Sequence, residues 1–159
     1  MVVSAMAIPS LTSAMRSLQL AADARSIASA LTYSKLSAIS QMTRYRVTFD
    51  LEGNGWNLEK FNRTTDDFEI EQENIISSGD AESGIAFRSS STHALTGLPS
   101  TSSSTITFNS RGIPVDEGGV PTANNVVYIS KDDSEYAISV SLAGKVQVWN
   151  YDNNEWCSQ

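Results

Sequence analysis

Residues 31–50 read "LTYSKLSAISQMTRYRVTFD", and the spacing of their apolar side chains changes part-way along. Up to Gln41 it is helical. Traced back from here, Leu20, Ala24, Ile27, Leu31 and Ala38 fall 4, 3, 4 and 7 residues apart, on one face of a helix. From Arg44 the interval becomes two. Tyr45, Val47 and Phe49 alternate with Arg44, Arg46 and Thr48, the pattern of a half-buried strand. A helix therefore feeds directly into a β-rich region.

Toward the N-terminus, no Gly or Pro interrupts Ser10–Gln41, and good helix formers recur. One helix of about 30 residues is expected there, more than twice the usual length. Either Ser10 caps it after Pro9, or Pro9 kinks a helix that runs through it. Ile27, Leu31 and Ile39 are expected to face a core, with Arg16, Asp23 and Lys35 on the opposite side. Such a helix packs its C-terminal half on a domain and lets its N-terminal half protrude.

Toward the C-terminus, "EGNG" (52–55) is a turn and "WNLEKF" (56–61) alternates again, with Trp56 and Leu58 inward, giving a β-hairpin. "FEIEQENII", "GIAFR", "TITFN", "VVYIS", "YAISV" and "KVQVW" follow as short strands between Gly, Ser, Asn and Asp clusters. Residues 91–105, "STHALTGLPSTSSST", are expected to form a polar, mobile loop. The fold class expected is α+β: a long N-terminal helix packed on an antiparallel β-sandwich-like head. Residues 1–43 form the stem and 44–159 the head.

The 159 residues carry a net charge of −7, unevenly spread. Residues 1–46 hold five cations against Asp23, a net +4, and the remainder carries −11. A basic stem on an acidic head implies two surfaces with different neighbours. The apolar opening "MVVSAMAI" would extend only about 12 Å as a helix, against roughly 30 Å of bilayer hydrocarbon, and lacks the parts of a signal peptide. It reads as a buried helix end or as the last part of a longer apolar segment.

Little of the sequence points to catalysis. One cysteine, Cys157, and one histidine, His93, cannot fill a structural zinc site, and one thiol makes no internal disulfide. No nucleophile elbow, phosphate loop or metalloprotease pattern occurs. His93 reads as an exposed loop residue, and a Cys157–His93 pair has no third, orienting group. The carboxylates at Asp66-Asp67, Asp116-Glu117, Asp132-Asp133 and Asp152–Glu155 offer oxygens of the kind calcium takes. None has the spacing of a known calcium loop, and turn chemistry accounts for them. No cofactor is expected. Trp149, Tyr151 and Trp156 form either an aromatic contact surface or core and edge residues, and the second is favoured.

The order of several stretches resembles the type IV pilin-like superfamily, and within it the H-type pseudopilins of type II secretion and the FimT/FimU-like minor pilins. "VVSAMAIPSLTSAMRS" (2–17) resembles the second half of the prepilin hydrophobic segment, and "LTYSKLSAISQMTRYRVTF" (31–49) the helix end and first strand. "NGWNLEKF" (54–61) sits at the Gly-Trp strand, "ITFNSRGIP" (106–114) resembles the Ile-Thr-Phe…Gly element, and "YAISVSLAGKVQVW" (136–149) the closing hairpin. The family's cleavage glycine and following glutamate have no counterpart, so Met1 falls inside the hydrophobic segment and the chain reads as truncated.

The resemblance implies a non-enzymatic filament subunit, at or near the tip of a type IV pilus or a type II secretion pseudopilus. Its partners would be other pilins or pseudopilins, with the inner membrane as partner of the intact protein. Its place would be the inner membrane and periplasm, or a bacterial surface filament. Met1, Val2, Val3, Ile8, Pro9, Leu11, Met15 and Leu18 would form the assembly surface, and self-association of the chain follows. DNA uptake is the alternative. Only Lys145, after Gly144, echoes the basic element of DNA-receptor relatives. Residues 111–159 carry three cations against seven carboxylates, so nucleic acid is not an expected partner.

Overall fold

The computed structural model describes residues 7–76, 85–132 and 134–159, with side chains from Leu18 onward except Ile75. Helix α1 spans Ala7–Ser40, 34 residues, and runs through Pro9 rather than starting at Ser10. At its end Met42 takes a left-handed φ of 51°, and the Thr43 N–H donates to the Ala38 carbonyl at 3.2 Å. This turn pairs the last carbonyls and sends the chain straight into the sheet.

Among the described residues ten strands follow: β1 (Tyr45–Asp50), β2 (Gly55–Asn62), β3 (Asp67–Ile75), β4 (Ala86–Arg88), β5 (Thr105–Phe108), β6 (Pro114–Val115), β7 (Asn125–Lys131), β8 (Ser134–Val140), β9 (Val146–Asp152) and β10 (Glu155–Ser158). They form two five-stranded antiparallel sheets, ordered β3-β2-β1-β5-β6 and β10-β9-β8-β7-β4. The hairpin expected at "EGNG" is present, pairing Val47 with Leu58 and Phe49 with Trp56. The two-residue β6 and the terminal β10 are additions to the expected strands.

α1 packs against both sheets. Leu20, Ala24, Ile27, Leu31 and Ala38 share one core with Tyr45, Val47, Ile106 and Phe108 of the first sheet and Val127, Ile129, Ile138 and Val140 of the second. The alanines let the backbone approach closely where two sheets crowd the helix. The C-terminal half of the stem is thus part of the head's own core.

Three residues of α1 depart from expectation. Asp23 is 6% exposed, because a helix covered by two sheets buries a wide arc and position 23 lies between Ile27 and Ala30 on it. Ile39 is 42% exposed; it stands about 100° round the helix from Ala38 and lies against Gly112 instead. Lys35, expected outside, is partly buried and donates from Nζ to the Gly144 carbonyl at 2.9 Å.

The 91–105 segment is not a free loop. It lies over the outer face of the second sheet, where Leu95 is 6% exposed and its N–H donates to the Tyr128 hydroxyl at 3.1 Å. That hydroxyl donates to the Pro99 carbonyl at 3.0 Å, and Ser102 Oγ accepts the Tyr128 N–H at 3.0 Å. Leu98, Trp149 and Trp156 pack with Val126, Tyr128 and Ala137 in this second small core.

Tyr45 is fully buried, and its hydroxyl donates to Glu71 Oε1 at 3.0 Å. Burial, and then the Glu71 carboxylate, push its pKa far above the usual tyrosine range. The folded chain keeps this proton where the unfolded chain loses it. Stability should therefore hold below about pH 10 and fall as pH rises further. In urea unfolding from about pH 8 to 11, Tyr45→Phe should lower the plateau but flatten the alkaline fall. An unchanged alkaline slope would contradict the assignment.

Candidate functional site

The outward face of α1 is unusually apolar. Leu18 is 69% exposed, and Tyr33, Leu36, Ile39 and Met42 are exposed beyond it. Spacings of three carry this strip from Tyr33 along the last turns of the helix to Met42. Beside it lies a shallow trough of 590 Å³ between α1 and β9, lined by Arg25, Ala28, Thr32, Tyr33, Leu36 and Val146. Arg25 stands at its edge, donating to Gln159 Oε1 at 3.2 Å. The helix thus has two apolar faces, one used by the core and one presented to solvent.

The far end of the helix is locked to the head by two glycines. Gly112 and Gly144 both have positive φ, 74° and 71°. A Cβ on Gly144 would stand 2.3 Å from the Gly112 carbonyl oxygen, so only glycine fits. Lys35 reaches across from α1 to the Gly144 carbonyl. Arg111 precedes one glycine and Lys145 follows the other, so the corner gathers three cations where sequence reading picked out Lys145 alone. Lys145 is exposed.

Arg44 and Arg46 are engaged within the chain. The Arg44 guanidinium lies 4.0 Å from the Phe61 ring centre, and that of Arg46 3.9 Å from Phe68. Arg46 also pairs with the Glu59 carboxylate. The outer face of the first sheet is therefore closed by cation–π contacts rather than presented as a basic patch.

Of the expected assembly residues, Met1, Val2 and Val3 lie outside the described residues. Ile8, Pro9, Leu11 and Met15 lie on α1, with side chains outside the description. Leu18 is exposed. Sequence reading missed Tyr33, Leu36 and Met42; the signal available was a second apolar stripe offset from the first. Among the described residues no His, Cys, Asp and Glu cluster could hold a metal. His93 and Cys157 do not form a reactive pair. His93 stacks on Tyr151 with ring centres 4.2 Å apart, while Cys157 is exposed on β10 and alternates away from Trp156.

The family model described as "Type II transport protein GspH" matches residues 23–144, from the buried half of α1 to the Gly144 turn. The chain belongs to the GspH family. The fold is similar to that of the minor pseudopilin EpsH from the Type 2 Secretion System of Vibrio cholerae, with a TM-score of 0.58 and 11% identity over 82% of this chain and 95% of that one. It is equally similar to the type IV minor pilin FimU of Pseudomonas aeruginosa, at 0.58 and 16% identity over 87% and 92%. None of the curated protein sequences matches the chain. Membership in the GspH family makes the chain a pilin-like filament subunit, and its fold is the pilin-like one expected. Among the described residues no helix is long and apolar enough to cross a membrane.

Proposed function

We propose that the chain is a non-enzymatic minor subunit at or near the tip of a type II secretion pseudopilus or a type IV pilus, held there by α1. The observation that supports this is the apolar strip of Tyr33, Leu36, Ile39 and Met42, with Leu18 exposed four turns earlier, outward on a helix whose other face is consumed by the core. Neighbouring subunits would cover the strip, with the basic stem of one against the acidic head of another. The full chain should self-associate in sedimentation at high concentration. Deleting residues 1–17, which stops short of the buried Leu20, should weaken this, and adding Tyr33→Asp with Leu36→Asp should give a monomer that melts like the parent. A full-length chain already monomeric at about 0.5 mM would remove the support.

DNA capture is the second reading, and the corner of Lys35, Arg111 and Lys145 is the observation in its favour. The rest of the head opposes it. Residues 111–159 carry a net −4, and Arg44 and Arg46 are engaged by aromatic rings and Glu59. Phosphate neutralisation by Lys and Arg supplies most non-specific affinity, and like charge repels over roughly 8 Å at physiological salt. Fluorescence anisotropy with duplex DNA at about 0.1 M salt should show no binding tighter than roughly 100 μM, the weak end of the non-specific range. Micromolar binding abolished by Lys145→Ala would put DNA uptake first.

A further inference from the structure

The outer face of the second sheet carries a groove of 760 Å³, within the size range of small-ligand sites. It lies on the opposite face of that sheet from α1. Its floor and one wall are the half-buried Trp149, Tyr151 and Trp156; the other wall is the segment around His93 and Leu98.

Both indole N–H groups are already used. Trp149 Nε1 donates to Ser139 Oγ at 2.8 Å, and Trp156 Nε1 donates to the His93 carbonyl at 2.9 Å. Ser139 stands on the same sheet face, across from Gln147 on β9, so this bond ties the half-buried Trp149 ring to the neighbouring strand. Tyr151 meets Trp156 at 5.1 Å and 55°, and His93 stacks on Tyr151, so the aromatic wall is angled and fixed. A ligand meets ring faces held in place before it arrives, with little ordering left to do.

The polar groups left for a ligand are neutral amides and one acid. The side chains of Gln147, Asn154 and Glu155 make no hydrogen bond among the described residues. No Lys or Arg lines the groove. The imidazole in the wall, His93, stands 3.6 Å from Glu135 Oε2, so phosphates and other anions find little free counter-charge. A purely apolar ligand would strand the amides. Aromatic faces bordered by amide and carboxylate groups match a molecule with C–H faces and a rim of hydroxyls.

We propose that this groove binds a neutral pyranose chain. Sugar rings would lie on Trp149 and against the edge of Trp156, with Tyr151, itself covered by His93, backing the wall, and their hydroxyls would bond to Gln147, Asn154 and Glu155. The same chemistry is offered by an N-acetylhexosamine glycan of the cell wall and by a plain neutral polysaccharide outside it.

The test titrates the full chain with chitotetraose, maltotetraose and cellotetraose, read by tryptophan fluorescence and calorimetry. Saturable binding to at least one, with a Kd of about 0.1–3 mM and little salt dependence, is the expected result. Preference for chitotetraose points to the cell-wall source, and preference for a glucan to the other. Trp149→Ala should weaken binding at least about tenfold. Gln147→Ala, which leaves the aromatic packing and the turn intact, should weaken it by about three- to tenfold without moving the melting temperature. No saturable signal with any of the three at 20-fold molar excess and 10 mM sugar, on the order of the weakest useful affinity, would overturn the proposal. So would binding of tetralysine in place of sugar, lost with added salt, or a dimer that Trp149→Ala turns into monomer.

Discussion

Gly144→Ala is expected to cost about 2–5 kcal/mol, enough to leave much of the chain unfolded at 37 °C. Two penalties combine. At φ 71° a Cβ collides with its own backbone, which costs roughly 1–2 kcal/mol. The same Cβ stands 2.3 Å from the Gly112 carbonyl oxygen, a backbone atom that cannot swing aside as a side-chain tip would. Moving the loop also disturbs the Lys35 bond to the Gly144 carbonyl, which ties α1 to the β8–β9 turn. Gly97 supplies the control. Its φ is 83°, but nothing lies within 4 Å of the added carbon, so Gly97→Ala should show the conformational penalty alone. Urea unfolding of the two variants separates backbone strain from collision. Equal losses would mean that the Gly112–Gly144 contact contributes nothing.

These glycines show what could and could not be seen in the sequence. "ITFNSRGIP" and "YAISVSLAGKVQVW" are separate elements in the sequence, and Gly144 lies in the second. That they meet back to back, 32 residues apart in the chain, depends on how the β5–β6 and β8–β9 turns are brought together. Periodicity says nothing about that. The helix and the first hairpin were legible because their signals are local: a 3.6-residue stripe that ends, and a two-residue alternation that begins. Strands β6 and β10 are not: two residues give alternation no length in β6, and β10 starts at Glu155 within the Asp152–Glu155 run, whose composition reads as a turn. Asp23 was misjudged by its charge, although its position between Ile27 and Ala30 round the helix lay on the buried arc. The 91–105 segment was misjudged by its composition. Its serines and threonines are polar, but Ser102 is spent on the Tyr128 backbone, and Leu95 and Leu98 seat the segment over the sheet. The outward strip was missed because a single stripe had already accounted for the helix.

Leu31→Ala and Leu36→Ala, five residues apart on α1, should separate the two apolar faces. Leu31 is fully buried where the helix meets both sheets. Truncating it leaves a cavity that two sheets and a rigid helix cannot collapse into, so the expected loss is about 2–5 kcal/mol. Leu36 is 58% exposed on the outward strip. Its truncation removes little buried surface and should change stability by no more than about 0.5 kcal/mol. Association should respond in the opposite sense. Leu36→Ala should reduce the oligomer seen in sedimentation, because it thins the strip proposed to meet a neighbour, whereas Leu31→Ala should leave the affinity of the remaining folded chain intact. Ile39→Ala should fall between them in stability, since Ile39 is 42% exposed but packs on Gly112. Comparable losses of stability at Leu31 and Leu36 would mean that the outward face is covered within the monomer, and the proposed docking role of α1 would fall with it.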